Sequence, residues 1–241
     1  MFISAMTKTT LLDYPNHLAS TLFLQGCNFL CPFCHNKDLI PPAGTISADD
    51  NILDTVLPTL KKRRHLIEGV CITGGEPTLQ KDLPQLIRSI KELGLKVKLD
   101  TNGSNPSMLA DLLDEGLLDY LAMDIKNSAR DYETTCGKRV PIQSIEASLY
   151  HLINHSDPNF SFELRTTILQ ELHTLSTLTQ TAEWLVNLGL PPSTAWYLQE
   201  YVYSPMQLLA TPFTAIKKET LTDWLESLLH IHPSIFLRGY N

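Results

Sequence analysis

Short apolar runs alternate with longer segments of helical periodicity along most of the chain. Six runs have the nearly continuous apolar character of buried strands: 20–25, 69–73, 95–100, 119–125, 161–165 and 196–199. The segments with helical spacing lie between or after them: 47–60, 81–93, 107–113, 143–153, 175–188 and 217–229. Ser47 stands at an N-cap position, and Gly94, Gly116 and Gly189 follow the last turns of three helices. Because strands and helices alternate, the pattern predicts an α/β fold, a parallel sheet covered by helices as in a partial or complete barrel.

The composition is that of a globular chain rather than a disordered one. Of the 241 residues, 43% are hydrophobic and 19% are charged. The net charge is −7 and the basic run at 61–64 is short, so we expect no nucleic-acid partner. No run approaches the roughly 18 apolar residues that span a bilayer, and the first residues lack the apolar core of a signal peptide. We therefore expect a cytoplasmic protein without a membrane partner, and a single domain over residues 1–241.

Three of the five cysteines lie within eight residues, on the loop that follows the first predicted strand. With three and then two residues between them, Cys27, Cys31 and Cys34 can each reach a different iron of a compact cluster, which leaves one iron open. A Cys₃His zinc site that includes His35 is the alternative, although adjacent Cys34 and His35 can hardly both point at one ion. The other two cysteines are distant in sequence and are interpreted as packed or surface residues: Cys71 and Cys136.

Polar residues also follow the next three predicted strands. In chain order they are Gly74-Gly75-Glu76, then Asp100, then Asp124 with Lys126. The glycines allow close approach of the backbone to a ligand, and Glu76 can hold an amine or its own loop. Asp124 and Lys126 project to the same side, as a salt bridge at the sheet rim or as part of a site. Since the carboxyl ends of parallel strands meet at one edge, these segments predict an active site there.

The cysteine motif resembles that of the radical S-adenosylmethionine (SAM) superfamily, and more closely the activases of glycyl radical enzymes. Phe33 precedes the last cysteine and His35-Asn36 follows it, which is the activase form. Among activases, the similarity is greatest to the activating proteins of anaerobic ribonucleoside-triphosphate reductases. It extends over further segments: 11–15, 23–26, 72–79, 98–103, 122–126 and 165–167. The resemblance implies a partial (β/α)6 radical SAM barrel with parallel strands and outer helices.

The resemblance also implies roles for individual residues. Cys27, Cys31 and Cys34 would ligate a [4Fe–4S] cluster, and the amino and carboxylate groups of SAM would bind its open iron. The SAM amino group would be bound by Gly74, Gly75 and Glu76, and the SAM carboxylate by Lys126. The backbone at Phe33 and His35 would contact the adenine. Arg165 and Gln199 would be further residues of the SAM pocket. Asp100 and Asp124 would frame a monovalent cation beside the SAM carboxylate.

The activity implied by this resemblance is radical activation of another protein. One electron, from a flavodoxin- or ferredoxin-type donor, would cleave SAM reductively, and the resulting radical would remove a hydrogen from a glycine Cα of a glycyl radical enzyme. Anaerobic ribonucleoside-triphosphate reductase is the expected partner. One alternative is a radical SAM enzyme that acts on a small molecule, such as 7-carboxy-7-deazaguanine synthase. The other is a non-enzymatic zinc-binding module that pairs with another protein.

Overall fold

The structure is a computed structural model that describes residues 1–40, 53–205, 207–209 and 212–239. Within these residues, the strands form one sheet whose spatial order is the chain order: β1 (Ile3–Thr10), β2 (Ala19–Leu24), β3 (Gly69–Gly74), β4 (Lys96–Thr101), β5 (Tyr120–Asp124), β6 (Ser161–Ile168), β7 (Trp196–Glu200) and β8 (Ile235–Arg238). Strand β1 is antiparallel to β2, and every later pair of neighbours is parallel. No ladder joins β8 to β1 among the described strands, so the sheet is an open, partial barrel.

A helix lies in each connection between two parallel strands, as parallel pairing requires. The described helices are α1 (Leu53–Arg63), α2 (Leu83–Glu92), α3 (Pro106–Asp114), α4 (Tyr132–Cys136), α5 (Ile142–Asn154), α6 (Leu175–Asn187) and α7 (Lys218–Leu228). Single 3-10 turns at Lys37–Leu39 and Pro77–Leu79 follow β2 and β3. The six predicted strands correspond to β2–β7, and the predicted α/β fold of parallel strands and helices is confirmed.

The helices pack on the sheet through one apolar stripe. In α2, the buried residues Leu83, Leu86, Ile87 and Ile90 recur at the spacing of one helical face. They cover strands that are buried on both sides, as in β5, where the central residues from 121 to 123 have no exposed surface. Each fully buried aliphatic side chain of this kind contributes about 1.5–3 kcal/mol to the free energy of unfolding. This core holds the strand ends rigidly, and the site is built on those ends.

Two strands and one helix were not predicted from the sequence. Strand β1 mixes buried and exposed positions because it is an edge strand with one solvated face, and β8 has only four residues. The short helix α4 lies between β5 and α5. The proposed N-cap Ser47 and the first part of the helix expected at 47–60 lie outside the described residues, and α1 continues to Arg63. Among the described residues, no helix is long and apolar enough to cross a membrane.

Candidate active site

A cavity of about 240 Å³ opens at the carboxyl ends of the parallel strands. Apart from Glu76, every site residue singled out from the sequence lines it: Cys27, Cys31, Phe33, Cys34, His35, Gly74, Gly75, Asp100, Asp124, Lys126, Arg165 and Gln199. The residues that follow different strands therefore meet at one cavity, as the direction of the parallel strands predicts. Eight further residues line the same cavity: Phe29, Asn36, Ile40, Thr73, Thr101, Asn102, Thr167 and Glu200.

The cysteine loop, residues 25–36, is fixed by backbone hydrogen bonds to two distant segments. The Leu30 N–H donates to the Cys136 carbonyl at 2.9 Å, which ties the loop to the end of α4. On the other side, the N–H groups of Leu208 and Leu209 donate to the carbonyls of Cys34 and Pro32, both at 3.0 Å. These bonds fix the path of the loop, and with it the positions from which the three thiols reach the cavity.

The three thiols of the cysteine loop have different electrostatic surroundings. Burial raises the pKa of the Cys27 thiol to about 12 and also raises the pKa of Cys34. The neighbouring thiol of Cys136 lowers the pKa of Cys31 to about 7 against the effect of burial, and Lys126 acts in the same direction. The interaction also raises the pKa of Cys136. Cys31 and Cys136 therefore form an interacting pair of thiols, whereas burial dominates at Cys27 and Cys34.

The donor set fits a cluster better than a single zinc ion. In the described part of the chain, no group of three or more His, Cys, Asp or Glu side chains has the geometry to hold one metal ion. His35, the fourth ligand of the zinc alternative, is exposed, and its ring lies 6.0 Å from that of Tyr201 between centroids. Three thiols that line one cavity without converging on a point match the separate irons of a [4Fe–4S] cluster.

The two glycines at the end of β3 pack directly against the end of β2 and the start of the cysteine loop. Gly74 has a φ of +122°, and a Cβ there would come within 2.4 Å of the Leu24 backbone. A Cβ on Gly75 would lie 2.0 Å from the Gly26 carbonyl oxygen, which also accepts a hydrogen bond from the Glu76 N–H at 2.7 Å. Any side chain at either glycine would push the two loops apart. The glycines are thus needed for loop packing as well as for access to the cavity.

The sequence did not determine whether the Glu76 side chain holds a ligand or its own loop. Its side chain is 1% exposed and does not line the cavity. The carboxylate accepts hydrogen bonds from the Thr101 hydroxyl at 2.7 Å and the Asn102 N–H at 2.6 Å, as well as from the N–H and hydroxyl of Thr78. Burial raises the pKa of Glu76, and the hydrogen bonds oppose that shift. The carboxylate thus holds its own loop through Thr78 and joins that loop to Thr101 and Asn102, while its role toward an amine stays a prediction.

Asn102 joins the loop after β4 to the cysteine loop. Its side-chain amide donates to the Asn28 side-chain oxygen at 2.9 Å and lies 4.0 Å from the Cys27 sulfur. Asn28 in turn donates to the Ser104 hydroxyl at 2.7 Å. The sequence did not mark Asn102 as a site residue, because its bond to Asn28 depends on how the two loops pack.

Five charged side chains form a continuous row, and all of them except Lys98 line the cavity. We call it the charged row: Lys98, Asp100, Arg165, Asp124 and Lys126. Arg165 donates to Asp100 at 3.1 Å and to Asp124 at 3.0 Å, and Lys126 pairs with Asp124 at 2.9 Å. Lys98, 2% exposed, pairs with Asp100 from below. The order follows from the sheet, because Asp124 and Arg165 are register partners on β5 and β6.

Ion pairing keeps Asp124, Lys126 and Arg165 of the charged row in their charged forms. Burial alone would raise the pKa of Asp124, but Lys126 and Arg165 outweigh it and lower the pKa to about 2. Burial alone would lower the pKa values of Lys126 and Arg165, but their carboxylate neighbours raise both. The salt bridge expected between Asp124 and Lys126 is thus present, and it lies within the cavity rather than on an isolated rim.

Two buried residues that the sequence analysis did not single out support the backbone next to Lys126. The His173 Nε2 lies 2.9 Å from the Lys126 carbonyl, and the Leu169 N–H donates to its Nδ1 at 3.1 Å. Burial lowers the pKa of His173, so the ring is neutral with its proton on Nε2. The Asn127 amide donates to the Thr135 hydroxyl and to the Leu172 carbonyl. No local pattern marks these residues, because their partners are distant in sequence.

A family comparison agrees with this site. Residues 21–169, more than half of the chain, match the model of the radical SAM superfamily. The chain therefore belongs to that superfamily and is a radical SAM enzyme, with a [4Fe–4S] cluster and SAM as its cofactors. This membership replaces the alternative of a non-enzymatic zinc-binding module.

Comparisons with individual proteins show which radical SAM enzymes the chain is similar to. The chain is 31% identical over 175 residues to a protein of Methanocaldococcus jannaschii named as a glycyl-radical enzyme activating enzyme, with 70% of this chain and 69% of that protein covered. A 7-carboxy-7-deazaguanine synthase of Methanospirillum hungatei is 37% identical over 89 residues, 36% of this chain and 35% of that one. The fold is shared with a domain of the pyruvate-formate lyase-activating enzyme from Bacteroides vulgatus, at a TM-score of 0.56 and 18% identity over 71% of this chain and 99% of that one.

Proposed function

We propose that this chain is an activase that installs a glycyl radical on a partner enzyme, with anaerobic ribonucleoside-triphosphate reductase as the partner. The observation that carries the proposal is the cysteine loop of activase form, which lines one cavity with Lys126 and the charged row. The similarity to an activating enzyme over about two thirds of both chains supports it. The choice of the reductase as partner rests on the resemblance of the cysteine motif and of the further segments between residues 11 and 167.

Each part of the cavity has a role in this activity. Cys27, Cys31 and Cys34 hold the cluster, and Lys126 binds the SAM carboxylate. The Gly74-Gly75 backbone receives the SAM amino group. The reduced cluster and SAM together supply the radical that removes a hydrogen atom. The protein positions SAM beside the cluster and keeps water and stray hydrogen donors out of the cavity.

The adenine and ribose of SAM bind on the side of the cavity formed by Phe33, His35 and Gln199. The backbone at Phe33 and His35 reads the adenine in our proposal. The Phe33 ring is fixed there by an edge-on contact with Phe213, 6.4 Å between centroids. Gln199, at the end of β7, faces the nucleoside from the opposite wall, where it is the register partner of Thr167.

A protein substrate suits the described cavity better than a small one. Its volume of about 240 Å³ must already accommodate the cofactors, which leaves little room for a separate small substrate. Exposed apolar side chains lie on the cysteine loop, on the stretch bonded to it and shortly before that stretch: Leu30, Leu209, Val202 and Tyr203, each at least 41% exposed. A partner that covers this surface would close the cavity and deliver a glycine to it.

The test is hydrogen transfer in an anaerobic mixture. The reconstituted, reduced protein is incubated with SAM and the reductase, whose radical-site glycine carries deuterium at Cα. We expect a glycyl doublet in the electron paramagnetic resonance spectrum with the unlabelled reductase. With the deuterated glycine we expect the doublet to collapse to a narrower signal and deuterium to appear in 5′-deoxyadenosine. As a control, the same reductase with that glycine replaced by alanine should give neither signal. A flavodoxin- or ferredoxin-type protein should replace the chemical reductant in this assay.

The second candidate is a radical SAM enzyme for a small molecule. The similarity to a 7-carboxy-7-deazaguanine synthase over 89 residues favours it, although this covers only 36% of the chain. Deuterium transfer from a small metabolite, with many turnovers and no protein partner present, would establish this candidate and reject the activase.

A further inference from the structure

The charged row leaves no carboxylate oxygen without a cationic partner. The two oxygens of Asp100 bind Lys98 and Arg165, and the two oxygens of Asp124 bind Arg165 and Lys126. Arg165 is the group common to both carboxylates. Its guanidinium lies between them, in the place that the family resemblance assigned to a monovalent cation.

The charge of the row argues against a further cation. Three cationic groups face two carboxylates, so the row carries one net positive charge. The five side chains are also poorly solvated, with exposed fractions between 2% for Lys98 and 31% for Asp124. Hard cations bind through oxygen ligands, and here each carboxylate oxygen already has a donor. A second positive charge would be repelled more strongly in this position than in bulk water.

We propose that the guanidinium of Arg165 is the cation of this pocket and that the chain binds SAM without a monovalent metal ion. The net positive charge of the row then matches the single negative charge of the SAM carboxylate. Arg165 acts as a positioning residue as well: it fixes Asp124, which in turn orients Lys126 toward the cofactor. Asp100 and Asp124 were expected to frame a metal cation. In this proposal they frame the Arg165 guanidinium instead.

The wild-type protein gives the first test. The affinity of the cluster-loaded protein for SAM is measured by anaerobic calorimetry in potassium, sodium or tetramethylammonium chloride at equal ionic strength. We expect the same dissociation constant in all three salts. An affinity that collapses in tetramethylammonium chloride and returns with potassium would overturn the proposal. No partner protein is present, so this outcome is independent of whether the chain is an activase.

Variants give the second test. Arg165→Gln removes the positive charge, and we expect its affinity for SAM without alkali cations to fall about tenfold, as loss of one charge-assisted hydrogen bond allows. Potassium should regain part of that loss, and Arg165→Lys should remain independent of the salt. The matched control is Arg238→Gln, which breaks the pair with Glu163 on the same sheet away from the cavity. Tight binding by Arg165→Gln in tetramethylammonium chloride would reject the proposal.

Discussion

The Glu76 carboxylate accepts a hydrogen bond from the Asn102 N–H at 2.6 Å, and this contact joins the loops after β3 and β4. The side chain of Asn102 continues the connection to Asn28 in the cysteine loop. Two loops therefore share one buried acceptor, and the Asn102 side chain links the cysteine loop to them. A carboxylate is suited to this position because it offers lone pairs in several directions and has no proton of its own to place.

Replacing Glu76 by Gln should weaken this junction. The amide has nearly the same shape, but its NH₂ group must face either the Asn102 N–H or the donors of Thr78 and Thr101. A buried donor left without an acceptor costs about 1–3 kcal/mol, and we expect that loss in the free energy of unfolding from urea denaturation. SAM affinity should fall too, because Thr101 and Asn102 line the cavity.

A different response of Glu76→Gln would show that the Glu76 side chain binds SAM directly. If Glu76→Gln lost SAM affinity with its stability unchanged, the carboxylate would be a ligand of the SAM amino group, as the family resemblance implies. Glu68→Gln is the control, since Glu68 is an exposed acceptor of a backbone N–H, from Leu18, outside the cavity. It should change neither quantity by a measurable amount.

The three cysteines of the loop should be required for the cluster, and Cys71 should not. Anaerobic reconstitution of the wild type should give about four irons and four sulfides per chain. Alanine at any of Cys27, Cys31 or Cys34 should remove most of that iron and all SAM cleavage. Cys71→Ala is the matched control, because Cys71 is buried on β3 with its sulfur 3.8 Å from the Lys98 ammonium, outside the cavity. Full SAM cleavage by Cys31→Ala would contradict the assignment of the ligands.

Lys126→Ala should reduce SAM affinity more than stability. Asp124 keeps Arg165 as a partner when Lys126 is removed, so we expect a loss of only about 1 kcal/mol in the free energy of unfolding. The lost contact to the SAM carboxylate should raise the dissociation constant about tenfold or more in calorimetry. Lys91→Ala removes a similar ion pair, to Asp119 at 2.8 Å outside the cavity, and should leave SAM affinity unchanged. Equal SAM affinities in the two variants would favour a purely structural salt bridge.

The fold and most of the site could be predicted because they depend on local patterns. Strands β3–β5 are buried on both faces, so their apolar runs are unambiguous, and the direction of parallel strands brings their polar ends together. Edge strand β1 has no such run, since most of its positions are partly or fully exposed. Strand β8 is short, and Phe236 within it is 46% exposed. Neither edge has the hydrophobic signal on which the prediction relies.

The parts of the site that were not predicted depend on contacts between distant segments. Glu76 could be identified as functional from its motif, but its hydrogen bonds to Thr101 and Asn102 follow from how two loops pack. His173 and Cys136 have no motif at all. Cys136 reaches Cys31 only because the short helix α4 ends beside the cysteine loop. Such contacts are set by tertiary packing, for which a single sequence has no periodic signal.

The stability of the cluster-free protein should fall in acid partly through Asp124. Its pKa is about 2 in the folded chain against an ordinary value of 3.8, so the unfolded chain takes up the proton first as the pH falls. The stabilisation is complete above about pH 4 and is lost toward pH 2, with a total of about 2 kcal/mol. Urea unfolding at pH 6 and pH 3 should show a smaller pH effect for Asp124→Asn than for the wild type. Identical pH effects would contradict the ion-pair account.

Cys136→Ala should keep its cluster and still cleave SAM, but with a changed reduction potential. The Cys136 thiol interacts with Cys31, and once Cys31 binds iron as a thiolate, only Cys136 has a proton to donate. A hydrogen bond to a ligating sulfur stabilises the reduced, more negative cluster. We therefore expect a shift to more negative potential in an anaerobic titration followed by electron paramagnetic resonance.

Two variants separate this effect from packing. Cys136→Ser keeps a donor of similar size, so its potential should lie between those of the wild type and Cys136→Ala. Cys71→Ala also removes a buried thiol, but one on β3 outside the cavity, and should leave the potential unchanged. If all three variants have the wild-type potential, Cys136 only fills space next to Cys31. A loss of iron in Cys136→Ala would instead show that the thiol is needed to hold Cys31 in position for the cluster.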